Sequence, residues 1–163
     1  MKGFLPTMLL ALGAAGCAHH APPVVATRPA ARAAAPITPS TSFQTQVQGR
    51  LDRLTGNAKE QGYGHLAGEA IFGRIDDRAT ASHDLLLTAG IEYALMATCD
   101  SDCSNVDLKV FDSQGTMILG DTSADNTPVL TFTANTSGRY RADVIMAACN
   151  HSPCYYGLQL LTK

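Results

Sequence analysis

The sequence predicts a mainly β protein, an antiparallel β-sandwich preceded by one amphipathic α-helix and an Ala/Pro-rich tether. From residue 64 onward, apolar and polar residues alternate in short runs separated by turn residues, as is typical of sandwiches and barrels. Before these runs, apolar residues recur at helical spacing over 43–58,. Two short cysteine rings lie between predicted strands, and they indicate an oxidising compartment.

The first 16 residues predict a secretory signal peptide. Lys2 supplies a positive start, an apolar stretch follows, and small residues precede Cys17,. The stretch resembles a bacterial lipoprotein signal, in which Cys17 would become the acylated first residue. The alternative is an ordinary signal peptide cut near Ala15 or Ala18.

The number of cysteines favours lipidation of Cys17. The chain has five cysteines, and an odd cysteine in a secreted protein requires an explanation,. Lipid on Cys17 leaves four that can pair, and several acyl chains would hold the protein firmly on a membrane. By resemblance to Gram-negative lipoproteins, Ala18 after the cysteine implies the outer membrane. We therefore expect a lipoprotein of the bacterial envelope, facing the periplasm or the surface, and otherwise a periplasmic or secreted protein.

Residues 17–41 are predicted to be a lipidated, disordered linker. Five prolines and many alanines fall between residues 18 and 40, and such a segment cannot form a packed core. The pair His19-His20 within it is a weak metal-binding signal. The formal net charge is −2 and no basic stripe is present, so nucleic acid is not a predicted partner.

Residues 42–62 predict the amphipathic helix. Its apolar stripe consists of Phe43, Val47, Leu51, Leu54 and Ala58,. Two internal glycines weaken it by about 1 kcal/mol each, so the helix depends on packing. The stripe either covers the protein's own sandwich or docks on a partner.

Residues 64–163 predict the sandwich, and about 100 residues suffice for one core. The period changes toward two in this region, and turn residues such as Asp112 and Gly115 separate the runs,. The predicted strands are 70–75, 83–88, 91–98, 106–110, 116–119, 128–134, 139–147 and 155–161.

Three of these segments, 87–93, 106–112 and 138–144, resemble the bacterial pre-peptidase C-terminal domain family. The likeness covers roughly 71–161 and includes an Asp-Leu-x-Val-x-Asp-x-x-Gly turn and a Gly-x-Tyr strand. The resemblance implies a sandwich of jelly-roll type, often appended to secreted proteases. Some members bind collagen or calcium. The cysteine rings are not part of the family's general pattern.

The four remaining cysteines predict disulfides. Local pairing of Cys99 with Cys103 and of Cys149 with Cys154 is favoured, and each ring so short would contribute about 2 kcal/mol. Pairing between the two rings remains open, because four cysteines allow three connectivities. A zinc site built from the four thiolates fits a secreted chain poorly.

Several aspartates near these rings could bind calcium through carboxylate oxygens. The candidate ligands are Asp100, Asp102, Asp107 and Asp112. The stretch lacks the Gly and Glu that complete an EF-hand loop, and the alternative is that these side chains bond to nearby backbone N–H groups in turns. No other cofactor is predicted.

No catalytic signature is present, and we predict a protein that is not an enzyme. His65, His83 and His151 are isolated in sequence, and no serine lies in a nucleophile elbow,. His151 and Ser152 lie in the second ring and form a candidate binding loop.

The predicted function is that of a non-catalytic, envelope-anchored module that binds an unidentified protein or glycan through its stapled loops. Two alternatives remain open. One is a structural component of envelope assembly that docks through helix 43–58. The other is an accessory or chaperone module for a secreted peptidase.

Overall fold

The computed structural model describes residues 42–163. The chain forms a mainly β sandwich with one helix, which confirms the predicted fold class. The elements are α1 (Ser42–Glu60), β1 (His65–Leu66), β2 (Ile71–Ile75), β3 (Thr80–Leu87), β4 (Glu92–Cys99), β5 (Cys103–Phe111), β6 (Met117–Asp121), β7 (Val129–Thr133), β8 (Gly138–Cys149) and β9 (Cys154–Thr162).

The strands form two antiparallel sheets. One sheet has the order β1-β9-β4-β7, with β2 also paired to β9, and we call it the helix-side sheet. The other has the order β3-β8-β5-β6, and we call it the outer sheet. Of the strands that follow one another in the described chain, only β5 and β6 pair as a hairpin. Most connections therefore cross from one sheet to the other.

The main core lies between the two sheets. Alternate residues of each strand point inward, as in β3, where Ala81, Leu85 and Leu87 are buried and Leu86 is exposed,. Leu95 and Tyr156 of the helix-side sheet belong to the same buried cluster as the inward side chains of the outer sheet. This alternation is the physical basis of the two-residue period in the sequence.

Helix α1 covers the other face of the helix-side sheet. Val47, Leu51 and Ala58 are buried, and Leu51 and Ala58 belong to a second apolar cluster with Met96 and Leu161 of that sheet. Because both faces of this sheet are covered, seven of the eight residues of β4 are buried. The stretch Tyr-Ala-Leu-Met-Ala is accordingly apolar at every position.

The structure differs from the sequence-based boundaries at a few places. The helix ends at Glu60 rather than at residue 62, and Gly62 has a positive φ of 94°, as is common after a helix C-terminus. Strand β3 begins at Thr80 rather than at residue 83, because its first three residues are small or polar and give little apolar signal. Strand β1 was not predicted, since two exposed residues carry no periodicity.

The predictions for the signal peptide 1–16, the linker 17–41 and lipidated Cys17 concern residues outside the described part. Within residues 42–163, no helix has the length and apolar character needed to cross a membrane.

Candidate binding surface at the disulfide end

Four loops meet at one end of the sandwich. They connect β2 to β3, β4 to β5, β6 to β7 and β8 to β9. They lie together because β2 and β4 both end opposite the start of β9, and β6 and β8 both end toward the start of β5. Two of these loops contain the cysteine rings. We call this part of the surface, formed by residues 76–79, 100–102, 122–128 and 150–153, the disulfide end.

Both disulfides are present with local connectivity. Cys99 pairs with Cys103 and Cys149 pairs with Cys154, and the Cα atoms of each pair are 5.9 Å apart. Cys103 and Cys149 are register partners on neighbouring strands of the outer sheet. The two rings therefore lie side by side, a relation that their separation in sequence does not reveal.

Hydrogen bonds join the two rings directly. The backbone N–H of Asn150 donates to the carbonyl oxygen of Asp102 at 2.7 Å. The buried Asp100 carboxylate accepts from the backbone N–H of Asp102 at 3.1 Å and from that of Tyr155 at 2.8 Å. Asp100 thus links the first ring to the strand that follows the second. Its role is that of a structural acceptor in a turn.

The turn between β2 and β3 is held by the second ring. The Ser152 hydroxyl donates to an Asp76 carboxylate oxygen at 2.9 Å and accepts from the backbone N–H of Asp77 at 3.2 Å. The Asp77 carboxylate accepts from the backbone N–H of Cys149 at 2.9 Å. Arg78 follows with a φ of 58°, a left-handed conformation that is uncommon for a residue with a side chain. The network holds this arginine at the tip of the turn.

Helix α1 supports the disulfide end from the side. The Arg50 guanidinium donates to the carbonyl oxygens of Cys99 at 2.7 Å and of Asp100 at 3.1 Å. Phe43 stacks on Tyr155, with ring centroids 5.6 Å apart and planes inclined by 5°. The loops are therefore fixed to the helix as well as to one another.

The side chains that project from the disulfide end are polar. Among the residues that form ion pairs in the described chain, Arg78 and His151 have the most exposed side chains, with 85% and 81% of the side chain accessible. His151 Nδ1 lies 3.5 Å from an Asp102 carboxylate oxygen. The predicted binding pair is thereby divided: His151 projects outward, whereas the Ser152 hydroxyl is engaged with Asp76 and Asp77.

Three carboxylates, on β5, on β6 and in the loop between β6 and β7, lie near one another beside this end. Burial raises the pKa of Asp107, and the nearby Asp121 and Asp125 carboxylates raise it further, against the effect of Lys109. One Asp107 oxygen is buried without a hydrogen-bond partner. The backbone N–H of Ser123 has the opposite effect on Asp121, whose pKa it lowers.

The four candidate calcium ligands do not come together. Asp100 and Asp102 lie at the disulfide end and Asp107 lies along β5. Asp112 follows the opposite end of β5, where it accepts from the backbone N–H groups of Gln114 and Thr116 at 3.0 and 2.8 Å. Within residues 42–163, no group of three or more His, Cys, Asp or Glu side chains has the arrangement of a metal site. Calcium binding therefore stays a prediction without structural support.

The histidines also lie apart. His65 is exposed on β1, and His83 lies on β3, where its Nε2 is 2.8 Å from the Tyr156 hydroxyl oxygen. Burial lowers the pKa of His83 and raises that of Tyr156 to about 12. This pair joins the two sheets, and no sequence signal pointed to it.

Sequence reasoning also missed Arg50, Asp76, Asp77 and Arg78. Arg50 contacts a loop 49 residues further along the chain, and the two aspartates contact residues more than 70 positions away. The only available signal was the pair of aspartates at the end of a predicted strand, which indicates a turn.

No protein-family model and no curated protein matches this chain. Among solved structures, it is similar to the Aeromonas hydrophila periplasmic inhibitor of g-type lysozyme, with 17% identity, a TM-score of 0.44 and coverage of 60% of this chain and 88% of that one. It is also similar to the pre-peptidase C-terminal domain of Bacillus anthracis collagenase, with 14% identity, a TM-score of 0.45 and coverage of 56% and 87%. These similarities concern the fold alone.

Proposed function

We propose that this protein is a non-catalytic, envelope-anchored binding module that captures a protein partner at its disulfide end. The observation that carries the proposal is the network that fixes both rings, the β2–β3 turn and the helix to one another. Loops held in one conformation lose little entropy when a partner binds. Such loops suit recognition better than chemistry.

The two disulfides indicate an extracytoplasmic location,. The proposal adds the finer assignment that Cys17 is acylated and that the protein is an outer-membrane lipoprotein. Mass analysis of the mature N-terminal peptide tests this assignment. An acyl-modified Cys17 supports it, and an unmodified N-terminus at another residue contradicts it.

A protein partner is favoured over a glycan by the character of the surface. The disulfide end presents the exposed side chains of Arg78 and His151 on loops that hydrogen bonds and disulfides hold in place. The chain contains no Trp, the residue whose large ring would best stack on a sugar. Projecting polar side chains on fixed loops are typical of protein recognition.

The disulfide end carries charges of both signs, which favours a partner with a charged surface. Asp76, Asp77, Asp102, Asp121 and Asp125 lie in or beside its loops. Arg78 is the only arginine or lysine within the four loops that define the disulfide end. Complementary charge would speed association and would make binding sensitive to salt.

Membership of the pre-peptidase C-terminal domain family is part of the proposal. It is supported by the motifs between residues 71 and 161 and agrees with a non-enzymatic accessory role. Docking through helix 43–58 is not proposed, because Val47, Leu51 and Ala58 pack against the protein's own sheet. No specific contact supports a chaperone for a secreted peptidase.

The experiment is capture of envelope proteins by the full chain, expressed with its own leader and tagged at the C-terminus. Arg78→Gly combined with His151→Ala removes both projecting side chains, and glycine accommodates the positive φ at residue 78. Arg53→Ala combined with His65→Ala is the matched control, since both residues are exposed and lie outside the disulfide end.

We expect quantitative mass spectrometry to find a partner whose capture falls at least tenfold in the Arg78/His151 variant. The Arg53/His65 control should retain capture, and raising the salt concentration should weaken it. Equal capture by both variants would show that the disulfide end is not the binding surface.

A further inference from the structure

A cleft opens at one edge of the sandwich, between β3 and the segment that joins β1 to β2. Strand β1 pairs with residues 161–162 of β9, and β2 pairs with residues 154–158. Residues 67–70 between them form a bulge rather than a strand, held by the Ala67 N–H on the Leu160 carbonyl oxygen at 3.0 Å. The edge of the helix-side sheet is therefore interrupted, and the space between the sheets is accessible there.

This edge cleft has an apolar floor and an acidic rim. Its volume is about 200 Å³, and its lining includes the core residues Leu85, Leu95, Leu158 and Leu160 from both sheets. Glu69 of the bulge and Asp84 of β3 also line it. Since an apolar cavity of about 150 Å³ is large enough for benzene, the edge cleft is of a size to take one side chain.

The surroundings of the edge cleft expose apolar side chains. Leu86, which lines it, is 85% exposed, and Leu66, next to the lining residue Ala67, is 60% exposed. These are the two most exposed large apolar residues of the described chain. Strand β3 is also at the edge of the outer sheet, and within residues 42–163 it pairs only with β8. An unpaired edge with exposed apolar residues is a template for another strand.

We propose that the edge cleft docks an extended basic segment of a partner protein, which adds to the free edge of β3 and inserts a Lys or Arg side chain between the sheets. Lys and Arg combine an apolar stem with a cationic head, which matches an apolar floor below carboxylates. Asp84 forms an ion pair with Arg139 at 3.2 Å. No ion pair to Glu69 is found within residues 42–163, so the rim has a free negative charge.

The charge preference of the floor and rim is tested with small probes that mimic the inserted side chain. The probes are n-pentylammonium, 1-pentanol and pentanoate, and the readout is the NMR shift of the leucine methyl groups of the full chain. We expect saturable shifts at Leu85, Leu95, Leu158 and Leu160 with the cation at millimolar concentration, weaker shifts with the alcohol and none with the anion. Shifts of equal size for cation and anion, or no saturable shifts, would overturn the proposal.

Glu69→Gln tests the rim without altering the core, because Glu69 is exposed in the bulge. We expect it to reduce the affinity for n-pentylammonium at least threefold and to leave that for 1-pentanol unchanged. Glu60→Gln, at the end of α1, removes the same charge elsewhere and should change neither. A loss of equal size in both variants would show only a general effect of net charge and would overturn the assignment of Glu69.

Strand addition is tested with the peptide Thr-Val-Thr-Lys-Thr-Val-Thr and with a version that has norleucine, the neutral analogue of Lys. We expect the lysine peptide to protect from hydrogen exchange the backbone amides of β3 that point away from β8. The norleucine peptide should bind at least threefold more weakly. Methyl shifts without protection of β3 would overturn strand addition. A concentration-dependent dimer that Leu86→Ser abolishes would assign this edge to a second copy and would also overturn the proposal. Neither result depends on the disulfide end.

Discussion

Gly157 of β9 lies directly beneath helix α1 on the helix-side sheet. A Cβ atom at this position would be 2.8 Å from Val47 Cγ1, 3.2 Å from Phe72 Cε1 and 3.3 Å from Leu51 Cδ2. Real Cβ contacts are longer than the first of these, so the absence of a side chain sets the distance between helix and sheet. Gly157 is thus a packing residue, although its sequence context is that of an ordinary strand.

We predict that Gly157→Ala lowers the free energy of unfolding by about 1–3 kcal/mol, because the methyl group displaces Val47 and the helix that carries it. Gly49→Ala is the matched control, since nothing lies within 4 Å of a Cβ at Gly49. The control should raise stability by up to about 1 kcal/mol through helix propensity. Urea denaturation followed by circular dichroism measures both, and equal effects would contradict the packing role.

At the residue scale, the sequence predicted the pairing of the cysteines better than the contacts of the residues beside them. Short spacing alone favoured the pairs Cys99–Cys103 and Cys149–Cys154. It could not show that Ser152 would bond to Asp76, because that contact spans 76 positions. Contacts of this length depend on the strand order, which local patterns do not encode.

The helix shows what an amphipathic stripe can predict about an element. The spacing of apolar residues placed α1 correctly within two residues at its C-terminal end. The same spacing could not decide whether the stripe faced the protein's own sheet or a partner. The missing information was in β4, whose residues Ala94 and Met96 are apolar on the face that a simple sandwich would leave in water.

We predict that Val47→Asp unfolds the helix and destabilises the whole domain by more than about 3 kcal/mol, since Val47 is fully buried and an unpaired charge would enter the interface. Gln46→Asp introduces the same side chain at the neighbouring, exposed position and should leave stability within about 0.5 kcal/mol. Circular dichroism and thermal denaturation distinguish the two variants. A folded Val47→Asp variant of unchanged stability would show that α1 is dispensable to the core.

For the whole molecule, the His83–Tyr156 contact joins the two sheets across the core. Tyr156 is fully buried, and its hydroxyl oxygen is 2.8 Å from His83 Nε2. Burial lowers the pKa of His83, and the Asp143 carboxylate offsets part of that effect. The folded protein therefore favours the neutral imidazole, whereas the unfolded chain takes up a proton near the ordinary pKa of about 6.5.

We predict that His83 makes stability depend on pH below neutrality. Between the lowered folded pKa and about 6.5, the unfolded state binds more protons, so stability falls as the pH falls through this range. Above about 6.5 the contribution is fully present. His83→Gln keeps a polar side chain that does not titrate, and it should reduce the slope of unfolding free energy against pH between 4 and 7. Parallel slopes for the two proteins, measured by urea denaturation, would contradict this role of His83.

The whole fold was predictable as a class but not as a topology. Alternation in segments such as 106–110 and 139–147 identified strands correctly. Nothing in those segments specified that β3 would be an edge strand or that β1 and β2 would share one partner. The disulfide end and the edge cleft both follow from that pairing order, so neither site could be assembled from local patterns.

The contact between Phe43 and Tyr155 has a practical consequence for orientation. It places the beginning of the described chain beside the second ring, whereas Lys163 lies at the other end of β9, next to Glu92. A group attached at Ser42 would lie close to the rings and would compete for space with anything that approaches them. Biosensor chips, fluorophores or fusion partners should accordingly be attached after Lys163, so that the disulfide end stays accessible.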